Sequence, residues 1–195
     1  MLVGGTYLKV LTITGYKPME INIFKPNDHK IDFIKQAIKK RLLSFIEDGL
    51  EWVLLSGQMG VELWTCEVIL ELKDSYDIKL GLIPPFLNQE QRWPEPYQEA
   101  FQEMTLHADF YQALYQDEYK GPYQFKARDK WLIKKSDACL ILLDEDYPGS
   151  TRFFLEEAKK VRDSGSYQLY TITPFDLEET VQELQFENPE YWNND

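Results

Sequence analysis

Short apolar runs that alternate with stretches of helical spacing constrain this chain more than any other feature. The runs cover residues 8–14, 52–55, 78–83, 138–143 and 167–172, with a weaker one at 110–115. They are close to continuous rather than alternating apolar and polar, as expected of strands buried on both faces. Between them the period changes. Over residues 28–48, Ile31, Ile34, Ile38, Leu42 and Phe45 recur at three- and four-residue spacing with lysines between them, the pattern of an amphipathic helix. Asp28 is suited to cap its start and Gly49 to end it. Further helices are predicted over residues 61–73, 95–107, 123–135, 149–164 and 176–184. This order predicts an α/β, doubly wound, mostly parallel sheet with helices on both faces. Such sheets bind ligands outside the carboxyl ends of their strands, where the strand order reverses. The chain is read as a single domain over 1–195. Its acidic end, 185–195, is expected to be held loosely, because residues 178–195 carry six acids and no Lys or Arg.

Composition narrows the function. A formal net charge of −12 over 195 residues argues against a general nucleic-acid or anionic-membrane surface, which needs clustered Lys and Arg. No nucleic-acid partner is therefore expected. No apolar run reaches the roughly 18 residues of a membrane span, and the first residues lack the pattern of a signal peptide. Cys66 and Cys139 lie inside apolar patterns and read as buried free thiols, which suits a cytoplasmic location. His29 and His107 have no metal-ligand spacing, so no metal site is expected. No P-loop lysine, full G-x-G-x-x-G or nucleophile elbow is present, and the residues name no cofactor.

Three strand ends carry the candidate ligand loops. At Gly15-Tyr16-Lys17 the glycine permits close approach, Tyr16 is a stacking candidate and Lys17 an anion partner; an ordinary strand-ending turn explains the same residues. At Ser56-Gly57-Gln58-Met59-Gly60-Val61-Glu62 an apolar strand passes through two glycines into a helix whose first backbone N–H groups are expected to point outward. Glu62 sits in that first turn, where the helix dipole alone favours a carboxylate. It would repel phosphate there, so its functional reading is an acceptor for ribose hydroxyls or a general base. At Gly149-Ser150-Thr151 a helix opens without a carboxylate until Glu156, which makes this turn the better phosphate candidate; plain capping is its alternative. Arg128 is the candidate cation for that phosphate, and Trp93 a further stacking candidate that can equally belong to the core.

The run Ser56 to Trp64, with Thr14 to Pro18, Pro85-Phe86, Trp93 and Ser136-Asp137, resembles the YpsA family of Firmicutes. The likeness extends from about Lys9 to Thr173. It implies a Rossmann-like fold in the superfamily that joins DprA to the LOG and lysine-decarboxylase-like proteins. It also implies binding of a nucleotide-derived small molecule such as an ADP-ribose-like ligand, with cell-division proteins and a second copy of the chain as candidate partners. Gly15, Gly60 and Glu62 match the family's strand-end positions. LOG enzymes carry a P-G-G-x-G-T-x-x-E run, whereas Trp64 stands here where that glutamate would fall, so their catalytic glutamate does not transfer. The leading expectation is a regulatory nucleotide-ligand-binding module. The alternatives are a hydrolase of an N-glycosidic bond and a protein-interaction module.

Overall fold

The computed structural model describes residues 7–165 and 167–187. Six strands form one sheet in the order β4-β3-β2-β1-β5-β6, with every neighbouring pair parallel. They are β1 (Val10–Thr14), β2 (Trp52–Leu55), β3 (Lys79–Leu82), β4 (Phe110–Tyr111), β5 (Ala138–Leu142) and β6 (Gln168–Ile172). The helices are α1 (Lys30–Glu47), α2 (Val61–Lys73), α3 (Glu95–His107), α4 (Tyr123–Lys135), α5 (Arg152–Ser164) and α6 (Pro174–Glu187). The chain is therefore doubly wound α/β, as its pattern predicts.

The connections follow from right-handed crossovers. Chain order runs one way from β1 to β4, so α1, α2 and α3 pack side by side on one face, and α6 joins them against α1. It then returns to β5 on the other side of β1, which places α4 and α5 together on the second face. The reversal lies between β1 and β5, where Leu11 pairs with Ala138 and Thr14 with Ile141. Burial on both faces explains the continuous apolar runs: Ala138, Cys139, Leu140 and Ile141 are fully buried. Thr12, at the middle of β1, is also fully buried, and it donates its hydroxyl to the Leu54 carbonyl at 2.8 Å. Both cysteines are buried free thiols, and burial pushes Cys139 up to about 12.

Several element boundaries differ from expectation by two or three residues, and two of the differences have a clear physical reason. The run at 110–115 is a strand only over Phe110–Tyr111. Beyond it, Leu114 and Tyr115 donate their N–H groups to the carbonyls of Pro84 and Pro85, and prolines have no N–H to return. The last helix starts at Pro174, two residues early, because Thr173 and Asp176 cap it reciprocally. Asp176 accepts from the Thr173 N–H at 2.6 Å, and Thr173 Oγ1 accepts from the Asp176 N–H at 3.3 Å. This arrangement is a capping box with proline at the first helical position. Of the expected loose tail, residues 185–187 belong to α6 and the remainder lies outside the described residues. Among the described residues no helix is long and apolar enough to cross a membrane.

Candidate functional site

Two cavities flank the switch point. One, of about 250 Å³, opens between the carboxyl end of β1 and the first turns of α2, α4 and α5; Gly15, Lys17, Glu62, Arg128, Ser150 and Thr151 all line it. The other, of about 390 Å³, lies under α1 and α6 and is walled mainly by apolar groups, among them Ile23, Phe33, Leu142 and Leu177. The larger is the poorer candidate for an anionic ligand, because its charged lining is three carboxylates, Glu20, Asp144 and Glu178, against one cation, Lys30. The smaller holds three cations, two buried carboxylates and an exposed aromatic, Phe153.

Glu62 organises the smaller cavity. It is 5% exposed, and both its oxygens are engaged. Oε1 accepts from Thr14 Oγ1 at 2.8 Å. Oε2 accepts from Ser56 Oγ at 2.6 Å, from the Ser56 N–H at 2.8 Å and from the Gln58 N–H at 3.3 Å. The carboxylate therefore ties the end of β1 to the loop after β2, and the helix dipole accounts for only part of its placement.

The expectation of outward-pointing N–H groups after Gly60 is corrected. Val61 donates its N–H to the Tyr16 carbonyl at 3.1 Å, so the loop after β1 lies across the start of α2. Gly60 makes that crossing feasible. Its φ is +97°, and a Cβ there would stand 2.4 Å from the Tyr16 oxygen. Tyr16 is likewise corrected as a stacking group. Its ring is buried, its hydroxyl donates to the Tyr147 carbonyl and accepts from the Asp144 N–H, both at 2.7 Å, and it lines the larger cavity. Burial raises its pKa.

The Gly149 turn holds an anion already, and it is a side chain. Glu20 accepts from the Ser150 N–H at 2.7 Å, from Ser150 Oγ at 2.9 Å and from the Lys17 N–H at 2.8 Å. Gly149, at φ +52°, lies against the same carboxylate, which a Cβ would meet at 2.7 Å. Thr151 gives its hydroxyl to the Pro148 carbonyl. The reading of this turn as an open phosphate cradle is therefore corrected: a carboxylate satisfies the donors that phosphate would use. Glu20→Gln is expected to loosen this hold. With inorganic phosphate added, the Ser150 amide resonance should shift in the variant and stay in place in the parent, and equal shifts in both would contradict it.

The remaining residues named from sequence fall around this centre. Ser56 lies behind the cavity, between Glu62 and Arg128 Nη1, which donates to its hydroxyl at 3.3 Å. Gly57 lies against the Phe101 ring, and Trp93 packs edge-on to the same ring at 5.6 Å, so Trp93 belongs to that aromatic cluster and lies outside the cavity lining. Sequence reasoning passed over Glu20, Lys126, Asp129 and Phe153. Asp129 had a signal: it directly follows Arg128 and lies four residues after Phe125, which puts Phe125 and Asp129 on one face of α4. Burial raises its pKa, Arg128 pulls it back, and Glu62 and Glu157 push it further up. Among the described residues, no cluster of His, Cys, Asp or Glu is placed to hold a metal ion.

The YpsA family model, described as the YspA SLOG family, matches residues 11–177. The chain belongs to the YpsA family. This family member is 51% identical over 186 residues to a UPF0398 protein of Oceanobacillus iheyensis, covering 95% of this chain and 100% of that one. It is 45% identical over 177 residues to the UPF0398 protein YpsA of Bacillus subtilis, covering 90% and 98%. Among solved structures it is similar to DNA processing protein A of Helicobacter pylori, described for its single-stranded DNA binding mode. The TM-score is 0.53 at 14% identity, over 91% of this chain and 81% of that one. That likeness shows a shared fold, and it corrects the expectation that no nucleic acid is bound. A net charge of −12 sums the whole surface, whereas contacts are local. In this YpsA-family chain Lys17, Lys126 and Arg128 converge on one cavity despite the overall acidity.

Proposed function

We propose that the smaller cavity binds a nucleotide or nucleotide-derived ligand. The observation that carries this reading is the composition of one cleft at the strand-order reversal. Lys17, Lys126 and Arg128 supply positive charge there, Phe153 supplies a half-exposed ring for a base, and Asp129 supplies an acceptor. Lys17 and Lys126 make no ion pair within 4.0 Å among the described residues, so their charge is available to an anion. Phosphate between these cations, sugar toward Asp129 and base against Phe153 distributes the three parts of a nucleotide over groups that suit them.

Hydrolysis of an N-glycosidic bond has less support, since Glu62, the expected base, is committed to four protein donors. A role in cell division rests on the family resemblance alone. The fold shared with a single-stranded DNA-binding protein makes an oligonucleotide a necessary arm of any test.

Calorimetric titration with the four ribonucleoside 5′-monophosphates, ADP-ribose, inorganic phosphate and a short single-stranded oligonucleotide tests the reading. At least one nucleotide is expected to bind, and Lys17→Ala with Lys126→Ala is expected to weaken it about tenfold or more, the scale of charge-assisted hydrogen bonds. Absence of binding by every nucleotide at millimolar concentration would overturn the reading. Binding of the oligonucleotide alone would move it to a nucleic-acid strand.

A further inference from the structure

The two buried carboxylates of the cleft are used very differently. Glu62 meets protein donors at both oxygens. Asp129, 5% exposed and also lining the cavity, uses one. Its Oδ1 accepts from Arg128 Nε at 2.9 Å and Nη2 at 2.6 Å. Among the described residues no donor reaches Oδ2. The described polar atoms that are sealed from solvent without a partner are Arg41 Nε and Gln89 Oε1, so Oδ2 is reached by water, and a ligand that fills the cavity must replace that water with a donor. Arg128 is not free to serve both oxygens, because its Nη1 is turned to Ser56 Oγ and its guanidinium lies over the Phe125 ring at 5.5 Å.

We infer that Asp129 Oδ2 accepts the 2′-hydroxyl of the ligand's ribose, and that Glu62 acts one step back as a positioning residue for the loop behind it. This deepens the nucleotide reading and rests on it. Charge selects the partner. A phosphate at Oδ2 would face two carboxylates, and an amine or metal ion would meet the guanidinium already bound to the same carboxyl group. A neutral hydroxyl supplies the missing donor and changes no charge. The consequence is discrimination by sugar: a ribonucleotide keeps the hydrogen bond and a 2′-deoxyribonucleotide leaves the carboxylate oxygen unmet, which is the costlier state.

The test compares the four ribonucleoside 5′-monophosphates with their four 2′-deoxy counterparts on the full chain by calorimetry. For each base that binds, the ribose form is expected to bind about tenfold or more tightly. Asp129→Asn, which replaces a charged acceptor with a neutral amide, should reduce that ratio severalfold, and Asp129→Ala should bring it close to one. The ratio responds to the hydroxyl contact and is insensitive to a general loss of stability. Equal binding of ribose and deoxyribose forms by the parent protein overturns the inference while leaving the nucleotide reading intact, as does an unchanged ratio in the alanine variant. If either variant fails to fold, the parent comparison still decides. Failure of all eight compounds to bind removes the nucleotide reading itself.

Discussion

Gly60→Ala is expected to lower the thermal midpoint by about 6–12 °C, the equivalent of roughly 3 kcal/mol in a chain of this size. Two costs combine. At φ +97° and ψ −135° the backbone is in a region that side chains rarely enter, a strain of about 1–3 kcal/mol. The new methyl group would also stand 2.4 Å from the Tyr16 carbonyl oxygen and 3.0 Å from Lys17 Cα. Both are backbone atoms, so no rotamer relieves the clash. The loop after β1 must lift from the start of α2, and the Val61 N–H then loses its acceptor. Lys17 moves with that loop, so nucleotide binding should fall as well. Thermal unfolding by circular dichroism reads the first effect. A midpoint within about 1 °C of the parent would show that the crossing is less tight than these distances require.

Glu62 variants carry the second large effect, and their order is informative. Glu62→Gln keeps the shape. Its amide oxygen can accept from Ser56 while its NH₂ donates to Thr14 Oγ1, so the cost is that of exchanging charged for neutral hydrogen bonds, about 2 kcal/mol. Glu62→Ala leaves the Ser56 and Gln58 N–H groups without their acceptor, at about 1–3 kcal/mol each, and opens a void beside β1. It is expected to cost about 4 kcal/mol or more. Chemical denaturation should therefore rank parent above glutamine above alanine, with ligand affinity falling in both variants. If the alanine form is as stable as the glutamine form, the carboxylate does not hold the loop.

The fold was legible because its signals are local. The helices Val61–Lys73 and Glu95–His107 fall where sequence spacing predicts them, since apolar periodicity and flanking Gly60 and Pro94 both belong to the segment itself. The early start of α6 was legible too and went unread: Thr173 and Asp176 stand at capping-box spacing with Pro174 between them. The shortened β4 depends on which segment lies beside it, and only the fold brings Pro84 and Pro85 there.

The site shows the same division. The offset of Glu62 from Gly60 could be read from sequence and separates this chain from the LOG pattern. What Glu62 binds could not, because Thr14 is 48 residues away. Still less could the seating of Glu20 on the Ser150 N–H, a contact across 130 residues. From sequence the Gly149 turn is a neutral helix start open to phosphate. In the structure a distant carboxylate has reached it first. Asp129 was legible only in part: its place on one face of α4 with Phe125 follows from spacing, and only packing shows that its pair with Arg128 is buried with one oxygen unspent.

Ligand is expected to enter the cleft at the carboxyl end of β1, on the side of α4 and α5. The most direct test is the amide spectrum of isotopically labelled protein titrated with the tightest-binding ribonucleotide. The predicted result is shifts concentrated at Gly15, Lys17, Arg128, Asp129 and Thr151, with Ile23, Phe33 and Leu177 unmoved. Shifts centred on the apolar cavity under α1 and α6, with the first group unmoved, would contradict it.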